Sequence, residues 1–333
     1  MEKESGKITI DQVAKALGVS KTTVSRAISG KGRIGEATRR RVLEYIEEND
    51  YKPSIIARGL AQSKTFNICV LLPENYHLSE LSFFQKAMVG IQQYAEQKDY
   101  DILLCIGTEE DNGSLERIVR NQKVDGVILL RTYRKDQAVE LLQKKRIPFV
   151  AVGDTDYPGV YQVNHDQRAA CRELTEKLLS GHGPSIVLLG GRDSLVITWN
   201  RLEGFQDAYR ACGLDLPESQ IYLNLESREA VEQAADEALE QKCRVLLCMD
   251  DVICSWLLRK LQREHLQIPR DVRVASFYNS WVLENTDPAI TAIAFDAREL
   301  GEAACRKLFC LMEQEEAPER TLLPYQILLR EST

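Results

Sequence analysis

From residue 67 onward the chain alternates short apolar runs with amphipathic stretches of helical length, in two successive sets. Residues 68–72, 102–106, 127–130 and 149–152 form the first set of runs; 186–189, 221–223, 245–249 and 272–277 form the second. Runs this short and this uniformly apolar predict strands buried on both faces. Helix-length segments between them predict parallel sheets covered by helices. Two sets predict two doubly wound subdomains. Ligands in such folds bind beyond the carboxyl ends of the strands, so two facing sheets predict a cleft for a small molecule.

The first 64 residues follow a different pattern. They hold 13 Lys/Arg against 8 Asp/Glu, a net of +5, whereas the remainder holds 30 against 42, a net of −12. A basic head on an acidic body is expected when one end alone meets a polyanion. Thr9 is placed to cap a helix carrying Ile10, Val13, Ala14 and Leu17 on one face, and Gly18 to end it. Ser20 is placed to cap a second helix that buries Val24 and Ile28. Ala14 must be small where two helices cross, Gly18 makes the turn, and Val24 plugs the shared core. That spacing is the helix-turn-helix pattern. A third helix is expected from about Glu36 to Asn49, with Val42, Leu43 and Ile46 closing the small core. The exposed face of the second helix carries Lys21, Thr22, Ser25 and Arg26, all able to donate to base edges or phosphates.

The runs beginning Thr9-Ile-Asp-Gln-Val-Ala and Gly18-Val-Ser-Lys-Thr-Thr-Val-Ser-Arg, with Thr38-Arg39 and Asp50-Tyr51-Lys-Pro53, resemble the heads of the lactose-repressor/galactose-repressor (LacI/GalR) family. The resemblance implies that Lys21 and Thr22 read bases in the major groove, and that Ser25 and Arg26 support phosphate and base contacts. Thr9, Ser20 and Thr23 complete the expected DNA-binding set. Gly35 departs from the family's usual Ser or Thr cap, which predicts a frayed start to the third helix. Ala57-Arg58-Gly59-Leu60-Ala61 looks like the family's hinge helix. That likeness implies contacts to DNA from Ala57 and an apolar wedge at Leu60 in the minor groove. Gly59 is a poor helix former there, disfavoured by up to about 1 kcal/mol against Ala.

For the body, the carboxyl-end residues are the candidates for effector binding: Asn75, His77, Arg131, Asp250 and Tyr278. The resemblance adds Phe83-Phe84 as a stacking wall and Trp199-Asn-Arg201-Leu-Glu-Gly204-Phe205 as the family's arginine-bearing element. Trp281 extends the aromatic set. Ser276-Phe277-Tyr278 replaces the family's usual Gly-aromatic-Asp, and Gly153 stands where many members carry Asp, so a common sugar-binding carboxylate is missing. A sugar or sugar derivative is the expected effector; a nucleobase or other flat metabolite is the alternative.

The resulting expectation is an α/β protein with an all-α helix-turn-helix head and a periplasmic-binding-protein-like core. Its domains are 1–52 (DNA binding), 53–66 (hinge) and 67–333 (effector binding and dimerisation). Within the core, 67–163 with 296–324 form one subdomain, and 164–295 with 325–333 the other. A sequence-specific transcriptional regulator follows, with repression as the expected mode. It would be a homodimer on a pseudo-palindromic double-stranded DNA operator, cytoplasmic, and without cofactor, metal or membrane partner. The nine scattered cysteines show no C-x-x-C pair and read as reduced thiols. Residues 1–7 are polar, unlike a secretory signal. An enzyme is disfavoured because no phosphate-cradling glycine loop, nucleophile elbow or metal cluster is found. A periplasmic solute-binding protein would explain the body but not the basic head, and a DNA-bending protein would not need the body. The chain ends without a heptad tail, so a dimer is expected in preference to a coiled-coil tetramer.

Overall fold

The computed structural model describes residues 8–29, 32–49, 58–59, 62–74 and 81–333. It divides into two compact units, Met1–Phe66 and Asn67–Thr333.

The first unit contains α1 (Ile10–Leu17), α2 (Lys21–Ser29) and α3 (Glu36–Glu48). Thr9 and Gln12 form a reciprocal capping box at the start of α1, with Gln12 Oε1 accepting from Thr9 N at 2.7 Å. Gly18 ends α1 in the left-handed region, at φ 65°. Ser20 Oγ accepts from Thr23 N at 3.1 Å and so starts α2. Val13, Ala14, Val24, Ala27 and Val42 are buried together. Leu43 does not join them and is 43% exposed. A core facing one stripe of α3 takes Val42, Tyr45 and Ile46, and Leu43 lies a quarter-turn away from it. α3 starts at Gly35 with no side-chain cap.

At Gly59 the structure adds a reason for glycine that composition does not carry. The backbone there is helical, and Lys64 N donates to Gly59 O at 3.1 Å while Ser63 takes φ 54°. This six-residue closure is a helix C-terminal turn. It brings Lys64 O within 2.5 Å of where a Cβ on residue 59 would sit. Glycine is required here by close approach. The turn is backed by the Arg58 guanidinium, 3.9 Å above the Phe66 ring.

The second unit holds two six-stranded sheets. The first uses β1 (Asn67–Pro73), β2 (Asp101–Gly107), β3 (Gly126–Leu129), β4 (Phe149–Val152), β5 (Tyr161–His165) and β11 (Arg320–Leu323), in the order β11-β5-β4-β3-β1-β2. The second uses β6 (Ile186–Leu189), β7 (Ile221–Tyr222), β8 (Val245–Cys248), β9 (Arg273–Ser276), β10 (Thr291–Phe295) and β12 (Tyr325–Leu328), in the order β12-β10-β9-β8-β6-β7. The strands pair in parallel except β12, which joins β10 antiparallel. Helices α4 (Leu81–Gln97), α5 (Gly113–Arg120), α6 (Gln137–Lys145), α7 (Gln167–His182), α8 (Val196–Ala211), α9 (Arg228–Glu240), α10 (Asp251–Arg263), the short α11 (Trp281–Glu284) and α12 (Ala297–Met312) complete it.

The chain passes between the sheets three times: after β5, after β10, and between β11 and β12. β5, β10, β11 and β12 were not anticipated as strands, because runs such as Tyr161-Gln-Val-Asn-His mix polar and apolar residues. The returning helix α12 packs closely on α4. Gly90 and Gly301 make this possible: a Cβ on Gly90 would overlap the carbonyl of Arg298, and one on Gly301 that of Ala87. Lys307, buried on α12, donates to the carbonyls of Gln162 at 2.8 Å and Pro318 at 2.7 Å, which ties β5 to the approach of β11. Burial pushes its pKa down to about 8.

Gly301→Ala should therefore destabilise the second unit by about 1–3 kcal/mol through overpacking. That sign is opposite to the gain of up to about 1 kcal/mol Ala brings to an open helix position, and urea unfolding curves distinguish the two.

Candidate effector cleft and DNA-reading face

The carboxyl ends of both sheets converge on a cavity of about 130 Å³. Phe83 and Phe84 enter it from the first turns of α4, Tyr278 from the loop after β9, and Phe295 from the end of β10. Phe83 meets Phe84 edge-on at 5.3 Å and, across the cleft, Tyr278 edge-on at 6.1 Å. The Arg131 guanidinium lies 5.3 Å from the Phe84 ring. Tyr278 is held by a tight turn in which Ser276 Oγ donates to Tyr278 O at 2.8 Å. The Ser that replaces the family's glycine thus shapes the aromatic wall.

The charged groups around the cavity are engaged with protein partners. Arg201 is buried; its Nη1 donates to Met249 O at 2.5 Å and its Nε to Gln167 Oε1 at 3.2 Å. Asp250 caps α10, its Oδ1 accepting from Ile253 N at 2.9 Å. Asp154 is the hub. Its Oδ2 accepts from Asn164 at 2.9 Å and from Asn200 on α8 at 2.6 Å, and its Oδ1 from Arg320 at 2.9 Å. The Asn200 bond spans the two lobes.

His165 sits where the three crossings meet. Its Nδ1 lies 2.8 Å from Pro324 O, and a carbonyl only accepts, so Nδ1 carries the proton. Nε2 is buried with no hydrogen-bond partner among the described residues. The ring lies 4.9 Å from Phe295. Burial presses its pKa below the ordinary value, opposed by the carbonyls of Pro324, Leu323 and Asp296 and by Glu299.

Far from these crossings the lobes touch again. Tyr133 forms an antiparallel bridge with Leu195, Arg134 N donates to Ser194 O at 3.0 Å, and Val196 N to Thr132 O at 3.4 Å. The Arg134 guanidinium stacks 4.8 Å over Trp199.

Of the residues expected to bind effector, Phe83, Phe84, Arg131, Arg201, Asp250 and Tyr278 line the cavity. Trp199 and Trp281 do not. On α8 the cavity takes Ile197, Thr198, Asn200 and Arg201, which turns Trp199 the other way, where Nε1 donates to Asp193 O at 2.6 Å. Trp281 opens α11 and is 69% exposed. Asn75 and His77 lie outside the described residues, as do Ala57 and Leu60. Asp154, Asn164, His165, Gln167 and Asn200 went unanticipated. Asp154 had a signal, since it follows the carboxyl end of β4 by two residues.

In the first unit, Lys21, Thr22 and Arg26 are exposed on α2 and Ser25 is half-buried beside them. Thr9 and Ser20 are engaged in helix caps, and Thr23 Oγ1 lies 2.9 Å from Ser20 Oγ.

A helix-turn-helix unit followed by two lobes around a cavity is the architecture of a DNA-binding regulator with a sugar-sensing domain. Residues 9–54 match the model of bacterial regulatory proteins of the lacI family, and residues 65–331 match periplasmic binding proteins and the sugar-binding domain of the LacI family. The chain belongs to the LacI family. It is 27% identical to the regulator RegA of Clostridium saccharobutylicum, covering 98% of this chain and 99% of that one. The regulator CelR in complex with cellobiose is similar in structure, with TM-score 0.72 and 25% identity over 98% of this chain and all of that one. The lac repressor dimer bound to operator and the anti-inducer ONPF shares the fold, with TM-score 0.78 and 21% identity over 98% and 99% of the two chains.

The buried His165 predicts a pH dependence. A histidine whose folded pKa is depressed is held neutral by the fold, so the unfolded chain binds more protons as pH drops. Its contribution is intact above about pH 6.5 and is lost progressively below it. His182, also lowered chiefly by burial, acts in the same direction. Melting temperature should fall between pH 7 and 5, and His165→Gln should flatten that slope, as followed by circular dichroism.

Proposed function

We propose that this protein is a cytoplasmic, non-catalytic transcriptional regulator that binds a pseudo-palindromic operator as a homodimer and responds to one neutral sugar ring held in the cleft. The cavity carries the ligand part of this reading. Its volume of about 130 Å³ is close to the roughly 150 Å³ that accommodates a single benzene ring in a protein interior. A volume of that order suits a single ring. Phe83, Phe84, Tyr278 and Phe295 suit the apolar face of a sugar ring. Arg201 and Asp154 are already bound to protein groups, which favours hydroxyls over a phosphate as the ligand's polar part.

Dimerisation follows from apolar groups left on the surface. Leu104 and Ile106 lie on the outward face of the edge strand β2, 51% and 48% exposed, with Val89 of α4 also exposed. Trp281 and Val282 form a second such patch on α11. A second copy of this chain is the occupant that also gives two heads the spacing of two half-sites. Lys21, Thr22, Ser25 and Arg26 then face the major groove, and the segment through Ala57 and Leu60 the minor groove. Effector favouring one lobe arrangement shifts the dimer between operator-competent and incompetent forms.

The test is a random-sequence selection with the full chain at moderate salt, followed by operator titration against a ligand panel. A palindromic site should emerge, and a monosaccharide should change operator affinity about 5- to 150-fold. Disaccharides, phosphosugars and nucleobases should act far more weakly. An operator insensitive to all of them would rule out the sensor, and no selected site would rule out the regulator. In the same titration Leu60→Ala should weaken operator binding far more than non-specific binding. Gly59→Ala should also weaken it, although alanine is the better helix former.

A further inference from the structure

An acid sits where a DNA-binding surface has little reason to carry one. Asp11 lies in the first turn of α1, and its Oδ1 is ion-paired with Nζ of Lys21, the first residue of α2. Both side chains are about 60% exposed, so the pair adds little to folding. In the first turn of α1 the Asp11 charge also suits the helix dipole, but the capping bonds at that terminus are made by Thr9 and Gln12. A carboxylate next to the reading lysine also works against attraction to the phosphates. What the pair does supply is geometry. It holds an ammonium donor and a carboxylate acceptor side by side at the start of the second helix, the part of a helix-turn-helix that meets base edges.

The major-groove edge of a G·C pair presents the complement of that arrangement. Guanine offers two adjacent acceptors, O6 and N7, and cytosine offers the N4 amino donor. An adenine places an amino group next to its single N7 acceptor, and that amino group repels an ammonium. We propose that Asp11 and Lys21 act as one reader of a G·C base pair in each operator half-site. Lys21 donates to guanine O6 and N7, and Asp11 accepts from cytosine N4. With Lys21 engaged by Asp11, the head is also less adhesive to arbitrary duplex. This rests on the operator-binding reading above and adds the base that the pair selects.

The experiment repeats the random-sequence selection with the full chain as wild type, Asp11→Ala, Asp11→Asn, Lys21→Met and the Asp11→Ala/Lys21→Met double variant. Non-specific affinity and its salt dependence are measured alongside. Wild type should prefer G·C at one position of each half-site by about tenfold or more. In Asp11→Ala that preference should drop below about threefold, while non-specific affinity rises. The salt slope should steepen by up to about 0.9 for each lysine released to a phosphate. Asp11→Asn keeps an acceptor oxygen and should fall between the two. The double variant should match Lys21→Met alone.

Unchanged melting temperatures would show that the exposed substitutions leave the head folded; a lowered one would shift the comparison to Asp11→Asn. A wild type that selects a site with no G·C preference overturns the proposal but leaves operator binding intact. So does a base preference unaltered in Asp11→Ala, or a double variant whose losses simply add. A wild type that selects no site overturns both readings.

Discussion

The two sheets are joined by three chain crossings, and a single imidazole touches all three. His165 closes the first, bonds the carbonyl of Pro324 in the third and packs against Phe295 at the second. Asp154 reinforces the same junction, since its partners Asn164 and Arg320 lie on β5 and β11 while Asn200 belongs to the opposite lobe. A ligand entering this cavity meets Arg201 and Asp154 already bonded to protein groups, and beside them the buried His165 Nε2, which has no hydrogen-bond partner among the described residues.

Much of this architecture is legible in the sequence. Uniformly apolar runs such as 245–249 leave few alternatives to a buried parallel strand, and the spacing of Ala14, Gly18 and Val24 leaves few to a helical turn. The strands next to the crossings were hidden for a physical reason. β5 and β12 lie at or next to a sheet edge and carry polar residues, and β12 is in addition only partly buried, so neither shows the apolar signature of a strand covered on both sides. Glycines 90 and 301 were silent because close approach between α4 and α12 is a tertiary fact. The close approach at Gly59 was silent for the same reason, since helix propensity carries no information on the Lys64 carbonyl.

The site was harder to see than the fold. Strand ends nominate residues, and Arg131, Asp250 and Tyr278 were found that way. Trp199 and Trp281 were nominated by chemistry and excluded by direction, one turned to the far side of α8 and the other out to solvent. Asp154 is not nominated by the family pattern, which points to Gly153, the position next to it. A carboxylate displaced by one residue still reaches the cleft, but it then bonds Asn200 and Arg320 and serves closure instead of presenting itself to a ligand.

The contacts between residues 132–134 and 194–196 lie on inner strands' loops, well away from β5, β11 and β12, where the crossings are. The two lobes are thus joined twice, by the crossings and by this loop contact. Any rotation about the crossings that parts the lobes has to break the Tyr133–Leu195 bridge and unstack Arg134 from Trp199 first.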